Sequence, residues 1–228
     1  GNMFAFTLAE VLITLVIIGI IAAITVPTLI TKYQKEQTVT RLKKAYSALS
    51  QTTQKAITDF GPMDTWDFNN NITADNAKNF LNKYVIPYIV VHKKPTTYAE
   101  GGWNNVYYGL NGSKSTYITS SVRFYLNDGT SVTGVINNWN NDNRIDLYVD
   151  INGDKKPNKL GRDIFVLIYI INSTEQFQKG RIQPQGISQT RTYLTSDSSE
   201  NCHKNQRGNR CAALIVKDGW RISDDYPW

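Results

Sequence analysis

From Val11 to Thr31 the chain carries no charged side chain, and most of these residues are apolar. Such a run has few fates: it packs among other apolar helices or it sits in lipid. As a helix, the stretch Phe4 to Val26 spans about 34 Å at 1.5 Å per residue, against a hydrocarbon thickness of about 30 Å. It is long enough to cross a bilayer. Glu10 stands at its mouth, in the string FTLAE (Phe6–Glu10). An ionised carboxylate inside a spanning helix costs roughly 2.5–3.5 kcal/mol even on permissive insertion scales, so its presence asks for a partner. The helix macrodipole alone supplies about 0.3–1 kcal/mol to an acid at a helix N-terminus.

Beyond Pro27 the pattern becomes amphipathic. Val39, Leu42, Tyr46, Leu49, Thr53, Ala56 and Phe60 follow steps of three and four, while Lys35, Lys43, Lys44, Gln51 and Lys55 lie mostly off that stripe. Gly61-Pro62 stops it. One helix is therefore expected from about Phe6 to Asp59, with Pro27 removing one backbone hydrogen bond near the joint and permitting a kink. The implied divisions are residues 1–5, 6–27, 28–60 and 61–228.

The remainder reads as an α+β domain. Thr73–Val85 has an N-cap and apolar spacing at Ala77, Phe80, Leu81 and Tyr84, predicting a short helix that ends before Pro87. Ser121–Leu126 and Ser131–Ile136 flank Asn127-Asp128-Gly129, a strong hairpin turn. Arg144–Asp150 alternates polar and apolar residues, and Asp163–Ile171 is a near-continuous apolar run suited to a central strand. Residues 95–120 read as a long loop with marginal strand around Val106–Tyr108. Gly180–Ser199 reads as irregular, and Ala212–Val216 as a last short strand.

The chain has 25 Lys+Arg against 19 Asp+Glu, a net charge of +6, but the basic residues are scattered rather than clustered as a nucleic-acid stripe requires. The two cysteines, Cys202 and Cys211, flank a short polar segment, and in an exported chain they are expected as a disulfide. Free thiols in a cytosolic chain are the alternative, and a metal site with His203 lacks a fourth ligand and CxxC spacing. Asp150, Asn152 and Asp154 alternate as calcium-binding oxygens do, yet Lys155 stands where such a loop has Gly and no bidentate Glu follows, so a plain turn competes with calcium. Trp220 with Ile222 is expected to close the core after an Asp218-Gly219 turn. No GxSxG, HExxH or P-loop occurs, and the chain is expected not to be an enzyme.

The segment FTLAEVLITLVIIGIIAAITVP resembles the N-terminal segment of type IV pilins and type II secretion pseudopilins. Counting Phe6 as the first mature residue, Glu10 falls at that family's acidic position and Pro27 at its helix-kinking proline. The detailed resemblance covers residues 5 to about 50. It implies cleavage by a prepilin peptidase between Ala5 and Phe6, with residues 1–5 a residual leader or residues appended in its place, and methylation of the new amine. It implies a pilin-like α+β fold, the long helix lying on a small antiparallel sheet. It implies assembly through Glu10, paired with the Phe6 amine of a neighbouring copy, and through Pro27. The partners it implies are copies of the chain or other pilins, the peptidase, an inner-membrane platform and membrane lipid before assembly. Some pseudopilins also carry a structural calcium. The globular part is then outside the cytoplasm of a bacterium, although Lys32 and Lys35 taken alone favour the reverse under the positive-inside rule.

Three other readings compete. A cleaved secretory signal needs a basic n-region, a shorter apolar core and an A-x-A-like site. A minor or competence pseudopilin would bind DNA. A non-polymerising membrane-anchored binding domain would need no assembly role for Glu10.

Overall fold

A computed structural model of the chain describes residues 7–104, 106–117, 120–137, 143–172 and 180–228. The chain divides into two compact units, Gly1–Gln37 and Thr38–Trp228. Helix α1 (Leu8–Phe60, 53 residues) runs without interruption through Pro27. Residue 27 has no N–H to give the preceding turn, but four threonines in this stretch turn their hydroxyls onto α1's own carbonyls. Thr14 donates to Val11, Thr25 to Ile21, Thr28 to Ile24 and Thr31 to Pro27, each at 2.9 Å.

The unit Thr38–Trp228 is built on a six-stranded antiparallel sheet. In chain order its elements are α2 (Ala74–Tyr84), β1 (Val91–Thr97), α3 (Tyr98–Gly101), β2 (Val106–Tyr108), β3 (Lys114–Thr116), β4 (Val122–Leu126), β5 (Ser131–Asn137), β6 (Asn143–Asp150), β7 (Ile164–Asn172), β8 (Arg181–Pro184), α4 (Arg191–Thr195) and α5 (Cys211–Lys217). The sheet order is β1-β4-β5-β6-β7-β8, with β2 and β3 forming a separate hairpin. Short 3-10 helices lie at Met63–Thr65 and Ile86–Tyr88.

Strand β7 explains its own apolar run. Phe165, Leu167, Tyr169 and Ile171 face a core shared with α1, α2 and α5, while Ile164, Val166, Ile168 and Ile170 face a second core with Trp103, Tyr107 and Tyr117. A strand covered on both faces has no polar side to show in sequence. On α1 the buried positions are Thr38, Val39, Leu42, Ala45, Leu49, Thr52, Thr53 and Ala56. The expected stripe is present, but its last member, Phe60, is 43% exposed. The Thr53 hydroxyl donates to the Leu49 carbonyl and is hydrogen-bonded to the Tyr169 hydroxyl at 3.0 Å, tying helix to strand through a buried polar pair.

The helix over Thr73–Val85, the hairpin around Asn127–Gly129, and strands β6 and β7 lie where the sequence places them. Four segments differ. Within 95–120, expected as a loop, residues 98–101 form α3 and residues 114–116 pair with β2 as β3. Residues 91–97 form edge strand β1 despite Pro95, which is tolerated because the sheet edge needs no donor there and the register slips between Lys93 and Thr96. Residues 181–184 and 191–195 are ordered as β8 and α4. Residues 211–217 are helix, not strand: Cys211, Ala212, Ala213, Leu214 and Ile215 are all buried, and a short run buried all round carries no period to read.

Leu49 is fully buried between α1 and the sheet. Leu49→Ala is expected to cost about 2–5 kcal/mol, read as a lower urea midpoint with unchanged slope for the full chain in detergent micelles.

Candidate functional site

The N-terminal candidate is built by the first turn of α1. The Thr7 N–H and the Thr7 hydroxyl both donate to Glu10 Oε2 at 2.8 Å, and the Glu10 N–H donates to Thr7 Oγ1 at 3.2 Å. This is a capping box: Thr7 and Glu10 satisfy two backbone donors that a helix start otherwise leaves open. The signal, Thr-x-x-Glu, stands in the sequence ahead of an apolar run and is a second reason for an acid at this position. No residue from Leu8 to Gln37 is buried. Leu8, Ile18, Ile24 and Leu29 are among the most exposed apolar side chains of the chain. The helix is long and apolar enough to cross a membrane, with none of its most apolar window buried, as suits a membrane anchor or a signal sequence. Ala5 and Phe6, expected at a processing site, lie outside the described residues. Pro27 sits within the exposed stretch.

The second candidate is the β6–β7 connection, where Asp150, Asn152 and Asp154 have the alternation of calcium-binding oxygens and a plain turn is the competing reading. The structure gives these groups internal partners. Asp150 Oδ1 accepts from the Asn152 N–H at 3.2 Å, closing an Asx turn. The Asn152 amide donates to Asp163 Oδ2 at 3.1 Å. Asp154 turns to the Tyr125 hydroxyl at 3.0 Å and to the Arg123 guanidinium at 3.4 Å. Asp163, not singled out from sequence, is the organiser: it also accepts from the Asn158 N–H at 2.8 Å and the Lys159 N–H at 2.6 Å. Gly153 is needed for close approach, since a Cβ there would lie 2.6 Å from the Gly129 carbonyl.

Between them lies a cavity of about 10 Å³ lined by Tyr117, Arg123, Asp150, Asp154 and Asn158. The Tyr117 hydroxyl and Asn158 Oδ1 are buried there without a hydrogen-bond partner. Arg123 is 4% exposed and lies under an edge-on aromatic pair, its guanidinium carbon 4.3 Å from the Trp103 ring and 5.2 Å from the Tyr117 ring. The space suits one water, and the guanidinium opposes a second cation. Among the described residues no group of three His, Cys, Asp or Glu is arranged to hold a metal ion.

At the far end of the same connection Gly161 meets the C-terminal region. Cys202 and Cys211 are joined in a disulfide with Cα atoms 4.6 Å apart. A Cβ at Gly161 would lie 2.7 Å from Cys211 Sγ, and the Tyr226 hydroxyl donates to the Gly161 carbonyl at 2.6 Å. Arg191 clamps Asp218 and Asp225 at 2.6 and 2.8 Å.

A family model, the Family of unknown function (DUF6613), matches residues 28–228. The chain belongs to DUF6613. The match covers the α+β unit together with the second half of α1, and its first residue follows Pro27. No curated protein and no solved structure matches.

Burial, and then the charge of Asp163, push Asp150 up to about 8. An acid whose folded pKa is raised holds its proton better in the native state. That stabilisation is full below about pH 4 and is lost as pH rises through about 8. Asp150→Asn keeps the Asx acceptor and removes the titration. Between pH 5 and 8 the wild-type urea midpoint is expected to fall, by the equivalent of a few kcal/mol at most, and the Asp150→Asn midpoint to fall markedly less.

Proposed function

We propose that this chain is a structural subunit of the type IV pilin or type II secretion pseudopilin kind, polymerising through the first half of α1. The observation that carries the reading is an apolar helix surface uncovered on all sides from Leu8 to Thr31, headed by the carboxylate of Glu10. Its mechanism is assembly rather than turnover. Before assembly the helix anchors the chain in the bacterial inner membrane, with the Thr38–Trp228 unit outside the cytoplasm. In the filament the same helix leaves lipid and packs against its copies. Apolar burial is kept in both surroundings, so the transfer does not expose hydrocarbon to water. The Cys202–Cys211 disulfide agrees with an oxidising compartment.

Prepilin peptidase cleavage between Ala5 and Phe6 supplies an amine at the helix start, and the amine of one copy pairs with Glu10 of the next. Glu10 thus has two duties: it caps its own helix through Thr7, and its charge fixes the axial register between copies. The driving energy comes from a separate cytoplasmic ATPase acting through a membrane platform.

The two duties separate experimentally. Glutamine can also close a capping box, so Glu10→Gln keeps the helix start and removes the charge, while Glu10→Lys reverses it. Sheared cell-surface or periplasmic filaments, quantified by immunoblot and imaged by electron microscopy, are expected to fall at least tenfold in both variants with membrane levels unchanged. Wild-type filament yield from Glu10→Gln would leave Glu10 with the capping duty alone.

A further inference from the structure

Two surfaces at opposite ends of the packed half of α1 are complementary. At the earlier end is a groove of about 530 Å³ lined by Val39, Thr40, Lys43, Lys44, Ser47, Gly219 and Trp220. It joins apolar walls to positive charge. Lys43 Nζ stands 5.7 Å over the Trp220 ring, and that ring lies 5.6 Å from Tyr46. Lys44, 2.9 Å from Asp128, and Arg41 are exposed beside it. Trp220 is held at φ 60°, a conformation that costs a residue with a Cβ roughly 1–2 kcal/mol. Its N–H donates to the Ile215 carbonyl at 2.9 Å, so the α5 C-terminus presents the indole to the groove.

At the later end α1 stops on a ridge that is apolar at the tip and acidic around it. Phe60 is 43% exposed and rests edge-on against Tyr84 at 5.0 Å, which is stacked on Trp66 at 4.4 Å. Asp59, Asp64 and Asp67 are exposed around it; one lysine, Lys83, lies 3.6 Å from Asp67 and 5.1 Å over the Tyr84 ring, so these three acids outnumber it, and the Asp67 side chain stays 86% exposed. Between Lys43 and Phe60 the helix rises about 26 Å.

We propose that the Lys43–Trp220 groove receives the Phe60 ridge of a second copy of this chain, so that copies join head to tail. A basic groove facing another basic groove is penalised by like charge, whereas groove against ridge brings opposite charges together. Different patches on the two partners make a heterologous contact, which propagates as an open filament when its rotation does not close. Phe60 against Val39 and Trp220 supplies the apolar burial. The rim charges contribute little energy singly and instead set orientation. The inference rests on the polymerising reading above, and adds which parts of the globular unit touch.

The full chain tests it, since its own two cysteines are already joined to each other. Lys43→Cys and Asp67→Cys are introduced together or singly, and membranes or filaments are treated with a short bis-maleimide. The double variant is expected to give a ladder of dimers, trimers and longer species. Each single variant is expected to stay monomeric, and a mixture of the two to stop at dimer. In the double variant Lys44→Glu is expected to cut the ladder at least tenfold, and adding Asp64→Lys to restore it. Cross-linked dimers from Lys43→Cys alone overturn the proposal by showing a self-facing contact. Filaments of normal yield without a ladder overturn it while leaving polymerisation through α1 standing. Absence of both ladder and filaments removes both readings.

Discussion

Strand β7 must be covered on both faces, and much of the globular unit follows from that requirement. Its alternating residues enter two separate cores, so helices α1, α2 and α5 serve one side and the aromatic layer of Trp103, Tyr107 and Tyr117 serves the other. Arg123 then finds itself beneath an aromatic roof, with its Nε–H given to Thr133 Oγ1 at 2.9 Å and its charge turned to Asp154. The β6–β7 connection inherits its shape from the two strands it joins. Its ends, Asp150 and Ile164, are paired across the ladder.

Within that connection two carboxylates of the same type behave differently because they receive different numbers of donors. Asp163 accepts two backbone N–H groups and the Asn152 amide, which favour its charged form and oppose part of the burial that still holds its carboxyl above the usual range. Asp150 accepts one backbone N–H, and burial beside Asp163 leaves a proton as its cheapest remaining partner. Placing an acid in a turn is thus distinct from offering it to a ligand. The count of donors already spent decides which role is open.

Much of this was legible in the residues. Thr73 with its apolar spacing marked α2, Asn127-Asp128-Gly129 marked a hairpin, and the β-branched run marked β7 as central. The disulfide followed from the spacing and context of Cys202 and Cys211. Other parts were opaque for physical reasons. Pro95 argues against strand unless the strand is known to be an edge, which only the assembled sheet tells. The first five residues of α5 are all buried, so neither a helical nor a strand period survives. Asp163 acts on Asn152, Asn158 and Lys159 by folding back over a turn, a relation with no fixed spacing. At the N-terminus the Thr7-x-x-Glu10 spacing is legible as a capping pair, which gives the acid a partner on its own helix.

The threonines of α1 have a consequence for how the helix meets its surroundings. Thr14, Thr25, Thr28 and Thr31 are the hydroxyl-bearing residues of the charge-free run, and each spends its hydrogen on a carbonyl of its own helix. None is left seeking a polar neighbour. To an adjoining lipid chain or an adjoining helix, the surface offers methyl and methylene groups with no directional demand. Rotation or sliding of such a cylinder breaks no hydrogen bond. Whatever fixes its depth and angle has to act from the ends: the Thr7–Glu10 turn at one, and the first lysine, Lys32, at the other.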